Sequence, residues 1–359
     1  MKEGEGEAGE RLPRRAALLV LAGLPQVLLG VGGGVGEASR WGASRKPRGV
    51  REGRLREEVL PACAGSIRAC WQLLNEGEFE AVERTVRGYL PWLREWAYEP
   101  SGVQQEAAYL AAQACFFLRQ CAYHRLQFQQ ELAYGLEGVE LSRLAGDSTL
   151  LVKALTKVSL DYFHLLYHWQ ALKALEEAHS LLPQVPQVLG GTVHTGLALA
   201  YARQGRAREA LEHLSRAKAV SEEPGLRWEE LPVYLQADEG VWRLILREGW
   251  VHLELSRHGE ESEHARAAER ALAQIERWSG RLAVPERIRL EIVNRRGEAA
   301  IGRGELEEYV SYTVEGAEGA KRLGSSKRRQ ELVSNWRKAL ERWPWEKRVR
   351  ELGELVLEL

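Results

Sequence analysis

His164 and His168 lie four residues apart, a spacing that sets two imidazoles on one helical face, where they can chelate a metal ion. A working site of that kind needs further donors. The sequence offers no acidic partner nearby on the same face, so the pair is expected to be structural rather than a metal site. Cys115, Cys121 and His124 raise the same question. Their spacing fits no zinc pattern, and a fourth ligand is missing. With Cys63 and Cys70 they are the only cysteines, too few for a disulfide framework in 359 residues and expected as packed thiols. "GVGGGVG" (30–36) lacks the preceding strand and following helix that a dinucleotide site requires. There is no G-x-x-x-x-G-K-S/T loop, G-x-S-x-G elbow or H-E-x-x-H pair. The expectation is a protein that is not an enzyme, with no catalytic residues, no metal and no cofactor.

The elements that would position these side chains divide the chain in two. Residues 1–57 read as a poorly ordered leader. An acidic, Gly-rich start is followed by Arg14-Arg15, an uncharged run from Ala16 to Gly36 with one short helix, and a basic linker from Arg40 to Arg56. The strongly apolar part, Ala16 to Leu29, falls short of the roughly 20 residues a spanning helix needs. It suits a linker or docking helix, with an export signal or anchor as the alternative. Net charge is −1, which draws the chain neither to nucleic acid nor to anionic lipid.

Residues 58–359 read as helical throughout. Apolar residues recur at three and four, as in "YLAAQACFFLRQCAYHRL", and alternating strand patterns are nearly absent. Prolines, among them Pro91, Pro183, Pro232, Pro285 and Pro344, sit between the periodic segments. Most tryptophans, including Trp242, Trp250 and Trp345, take apolar helical positions.

Internal similarity refines this. Tyr162, Ala171 and Ala178 in one segment match Tyr201, Ala210 and Ala217 in the next, each pair offset by 39. Small residues at Ala198 and Ala210 let two helices approach closely, Gly205 falls at the turn, and Pro183 closes the first unit. "YGLEGVELSRLAGDS" (134–148) echoes "YTVEGAEGAKRLGSS" (312–326), each the second helix of a unit closing on a glycine. This pattern resembles the tetratricopeptide repeat (TPR). The resemblance implies an all-α, right-handed α-α superhelix of about seven helical hairpins.

Several passages, among them "LAAQACFFLRQ", "VPERIRLEIVNRRGEAAIGRGELEEY" and "ERWPWEKRVRELGEL", are similar to the C-terminal TPR region of bacterial Xre/Cro-type helix-turn-helix regulators. Residues 1–57 show no helix-turn-helix pattern, so direct nucleic-acid binding is not carried over. The resemblance implies a sensory or regulatory scaffold that binds a protein or peptide in its concave groove. On TPR register the groove candidates are Lys153, Thr156, Phe163 and His164 in one unit, Thr195 and Arg203 in the next, and Glu291 and Asn294 in a later one. The expected location is the cytoplasm; the alternative is an exported or membrane-tethered scaffold that uses residues 14–36.

Overall fold

Among its described residues the chain builds helices and short connections only, as the three-and-four spacing of its apolar residues dictates. The computed structural model describes residues 50–222, 230–259, 261–278 and 284–358. The apolar stretch 14–36, and the basic stretch up to residue 49, lie outside them. Helix α1 (Val50–Glu76) begins ahead of the boundary read at residue 57, because Arg, Leu and Glu outweigh the single Gly53 in helix propensity.

The order continues as α2 (Phe79–Tyr98), α3 (Gln104–His124), α4 (Phe128–Ala145), α5 (Ser148–His164), α6 (His168–Ser180), α7 (Val188–Arg203) and α8 (Ala207–Glu222). A short α9 (Val233–Asp238) leads to α10 (Val241–Leu255), α11 (Glu261–Leu272) and α12 (Gln274–Trp278). The chain ends with α13 (Glu286–Arg303), α14 (Leu306–Leu323), α15 (Ser326–Arg342) and α16 (Lys347–Leu357). Consecutive helices pack in series, α3 on α4 and α7 on α8 most extensively.

One turn recurs. After α1, α3, α5, α7 and α13 a single residue takes the left-handed conformation: Gly77, Leu126, Leu166, Gly205 and Gly304. In each case the following N–H reaches back to a carbonyl five residues earlier, as Gln127 to Ala122 and Arg206 to Tyr201 (2.9 and 3.0 Å). This closes the helix in a Schellman motif and turns the chain straight into the next helix. The two echoing segments form the ends of α4 and α14. Both close on a left-handed glycine, and the next residue, Asp147 or Ser325, caps the following helix.

Ala171, Ala178, Ala198, Ala210 and Ala217 are fully buried at the helix contacts, where a small residue was expected. The four cysteines are free and buried, and burial drives the Cys63 and Cys70 thiols up to about 12, which leaves them inert. Two expectations are corrected. Pro91 lies inside α2 rather than between helices, on its exposed face. Trp345 is not core but 86% exposed in the turn before α16.

The series does not run away from its start. Helix α1 touches α9 and α13, and α3 touches α15. Arg328 at the start of α15 donates to the Tyr123 hydroxyl at 2.9 Å, and His124 and Ser325 are hydrogen bonded at 2.7 Å. Arg287 in α13 donates to the side-chain oxygen of Asn75 at 3.1 Å. The early and late helices therefore enclose an inner space, and that space is charged.

Candidate functional site

Sequence dictates that some of these charges cannot reach water. Arg119 sits in "AAQACFFLRQCAY" (111–123), a mostly apolar stretch, so α3 is buried nearly all round and carries the guanidinium with it. A buried cation needs partners. Arg119 donates Nε to Asp161 at 2.9 Å and Nη2 to Glu131 at 3.0 Å. Burial alone would lower its affinity for the proton, yet the two carboxylates raise it. Two carboxylates share one guanidinium, and Asp161 is held well above its ordinary range, by burial first and by Glu131 as well, against the pull of Arg119. Gly135 is required here: a β-carbon would stand 2.2 Å from an Asp161 oxygen.

A second group lies beside the first. Asp238, at the end of α9, meets Lys153 (2.9 Å), Arg243 (2.5 Å), Arg287 (3.0 Å) and Lys157. Glu239 pairs with Lys153 and accepts from Thr192 Oγ1 at 2.6 Å. In a third group Arg328 pairs with Glu291 (3.0 Å) and Glu331 (2.8 Å), and Asn294 donates to the Arg328 carbonyl at 3.1 Å. Burial would push the Glu291 carboxyl up; Arg328, Arg295 and Arg247 bring it down to about 2.

Above these groups opens a cleft of about 740 Å³. Its lining comes from both ends of the series: Tyr123 and His164, Arg203, Trp250 to Arg257, Asn294 to Glu298, and the inner face of α15. Seven cationic side chains face it against three carboxylates, Glu254, Glu298 and Glu331, so the surface is electropositive. Trp250 is its aromatic centre. Arg295, Arg247 and Arg203 stand 4.5, 5.4 and 5.6 Å from its ring, and its Nε1 donates to Glu254 at 3.0 Å.

The groove candidates separate accordingly. His164, Arg203 and Asn294 line the cleft. Arg203 is fixed over the Phe163 ring at 4.6 Å and donates to the Phe163 carbonyl at 3.3 Å. Glu291 and His164 line a smaller chamber below. Lys153, Thr156, Phe163 and Thr195 are buried outside both. Lys153 is in the ion-pair network, Thr156 and Thr195 bond the carbonyls three residues back at 2.8 and 3.0 Å, and Phe163 serves as the seat of Arg203.

His164 does have acidic neighbours, contrary to expectation. Its Nδ1 lies 3.0 Å from Glu131, which comes from the preceding helix, and Asp161 is one turn back. The Glu131, Asp161 and His164 donor atoms lie within 4.8 Å of one another, a grouping that could hold a metal ion. Arg119 already supplies the positive charge there. Burial and the nearby Lys327 lower His164 to about 3, so its ring is neutral. Cys121 bonds the Phe79 carbonyl and His124 bonds Ser325, so the Cys115–Cys121–His124 set is not assembled as a metal site.

Asp238, Arg247, Arg287 and Arg328 escaped the sequence reading, since their partners are set by the closure of the series rather than by spacing. The surroundings of Arg119 carried the one available signal. Among the described residues no helix is long and apolar enough to cross a membrane. No protein-family model and no curated protein matches the chain.

Proposed function

We propose that the chain is a non-catalytic, TPR-like interaction module that takes an acidic peptide segment of a protein partner in its cleft, acting in the cytoplasm as the sensory or regulatory part of a transcription-regulator-like protein. In this reading the stacked hairpins form a right-handed solenoid of about seven units, and the chain itself contacts no nucleic acid. The observation that carries it is the electropositive cleft of about 740 Å³, built by helices from both ends of the series. Its volume suits a bound segment of a few residues. Trp250 with its attendant arginines offers an aromatic and cationic anchor of the kind that dominates binding energy. The five recurring turns and the resemblance of residues 63–359 to regulator TPR regions support the same reading.

Arg337 tests it, because it faces the cleft and is exposed, so that a substitution leaves the core intact. Fluorescence polarisation with labelled acidic, neutral and basic peptide libraries should show saturable binding of acidic members. Salt should weaken that binding, and Arg337→Glu should weaken it about tenfold, on the order of 1.4 kcal/mol. Equal binding by Arg337→Glu, or no preference for acidic sequences, would refute the reading.

A further inference from the structure

Below the cleft, past a waist formed by Tyr123, His164 and Trp250, lies a chamber of about 50 Å³. Arg119, Lys157, Arg243, Arg247 and Arg287 line it, and among the described residues Glu291 is the only carboxylate in its wall. Glu291 is already paired with Arg328. Arg119, Lys153, Lys157, Arg243 and Arg287 form ion pairs with four carboxylates, Glu131, Asp161, Asp238 and Glu239, while Arg247, facing Glu291 across the chamber, forms none. Asp238 alone meets four of these cations.

Arg247 is the one left over. It is 6% exposed, its Nη1 is buried with no hydrogen-bond partner among the described residues, its guanidinium lies over the Trp250 ring, and no ion pair holds it, although it acts on Glu291 across the chamber. Arg287 Nε is likewise buried without a partner. Buried guanidinium N–H groups without an acceptor are costly, and one from Arg247 and one from Arg287 beside the same small chamber point to something that completes them.

We propose that this chamber binds a dianionic oxyanion of the phosphate class. Four guanidinium groups and Lys157 face one carboxylate here, and a phosphate monoester or inorganic phosphate offers several anionic oxygens to these donors at once, as a single carboxylate does not. Guanidinium forks match tetrahedral oxyanions in geometry. The volume accepts one such group, equivalent to about three water molecules. Protonation behaviour agrees. Burial, with Lys153, Arg243 and Arg119 adding, holds Lys157 well below its ordinary range against the pull of Asp238, and burial followed by Arg243 brings Arg247 down to about 10. An anion between them reverses both trends. The chamber shares Tyr123, His164 and Trp250 with the larger cleft, so the proposed oxyanion is either free or the end of an organic molecule whose body lies in the cleft. This assignment stands independently of the peptide reading.

The test is calorimetric titration of the full chain at pH 7.5 and constant ionic strength with inorganic phosphate, phenyl phosphate and acetate, together with melting curves. Phosphate or phenyl phosphate should bind with 1:1 stoichiometry and raise Tm, and acetate should do neither. Heats measured in buffers of different ionisation enthalpy should reveal proton uptake as Lys157 becomes charged. Tighter binding of phenyl phosphate assigns a phosphorylated small molecule, and equal binding assigns the free ion. Arg247→Met should lose at least tenfold in affinity, keep or raise the ligand-free Tm, and abolish the phosphate-dependent rise. The proposal fails if neither phosphate compound binds more tightly than acetate, or if Arg247→Met binds phosphate like the wild type. The wild-type comparison with acetate decides the matter even if that variant does not fold.

Discussion

Asp238 shows how much one carboxylate can organise: it holds four cations drawn from α5, α10 and α13. Arginine dominates these networks, and of 50 basic residues in the chain only ten are lysine. The planar guanidinium satisfies several acceptors at once, which a buried ion pair requires. Histidines supply the testable side of this scale. His252 and His264 stack with their Nδ1 atoms 3.4 Å apart, and burial, with His264 and Lys218 adding, lowers His252 to about 4. A lowered folded value means that the native state resists protonation. His252 then costs nothing above the unfolded value near 6.5, and its cost grows as pH falls from there toward 4. At pH 5 it amounts to about 1 kcal/mol, once the full shift is reduced for partial solvent access. Asp161 and Glu131, both raised, act in the opposite sense, so the histidine effect is read by difference. Urea unfolding at pH 7.5 and pH 5 should show a loss in His252→Gln that is smaller than in the wild type by about that amount. Identical losses would mean that His252 is not held neutral.

At the scale of elements, the recurring turn unites hairpins whose sequences differ. Gly205 and Gly304 announce it, as does Gly77, since glycine accepts a positive φ without cost. Leu126 and Leu166 take the same conformation at φ 63° and 62°. For leucine this costs roughly 1–2 kcal/mol, which the packing of both helices around the turn overrides. Leu166 is 73% exposed and gains little in return. Leu166→Gly should therefore stabilise the protein by roughly 0.5–1 kcal/mol after the added freedom of the unfolded chain is counted, seen as a higher urea midpoint. A lower midpoint would show that Leu166 is held by contacts rather than strained. The helices themselves were legible from apolar spacing, and the small residues at Ala171, Ala178, Ala210 and Ala217 marked their contacts correctly. The turns at Leu126 and Leu166 carried no glycine to reveal them. Pro91 misled because exposure lets a helix tolerate a proline that its interior would reject.

At the scale of the whole molecule, the decisive fact is the meeting of early and late helices, and it was not legible. Tyr123 and Arg328 are 205 residues apart, and nothing in either neighbourhood announces the other. Inward polar groups such as Glu291 and Asn294 read as solvated groove residues until the closure buries them. His164, Arg203 and Asn294 line the cleft. Lys153 does not, because Asp238 and Glu239 at the end of α9 take up its ammonium, and Thr195 is buried with its hydroxyl on the Thr192 carbonyl. The closure also changes what truncation does. In an open array each unit contacts only its neighbours, so removing the last leaves the rest nearly untouched. Here removal of residues 326–359 strips α3 of its contact with α15 and leaves Glu291 without Arg328. Hydrogen exchange on that truncated chain should show lost protection in α3 and α13, far along the sequence from the cut. Loss confined to α14 would indicate an open series.

The Tyr123–Arg328 contact also imposes an order on synthesis. Arg328 leaves the ribosome long after Tyr123, by roughly 10 to 40 s at 5–20 residues per second. Late in that interval Arg119 has Glu131 and Asp161, and Lys157 has Asp238, but the contacts that α15 makes with α3 are still missing. The nascent chain is thus a half-built bowl with a wet, charged interior, and it becomes a dry one only when its last helices arrive.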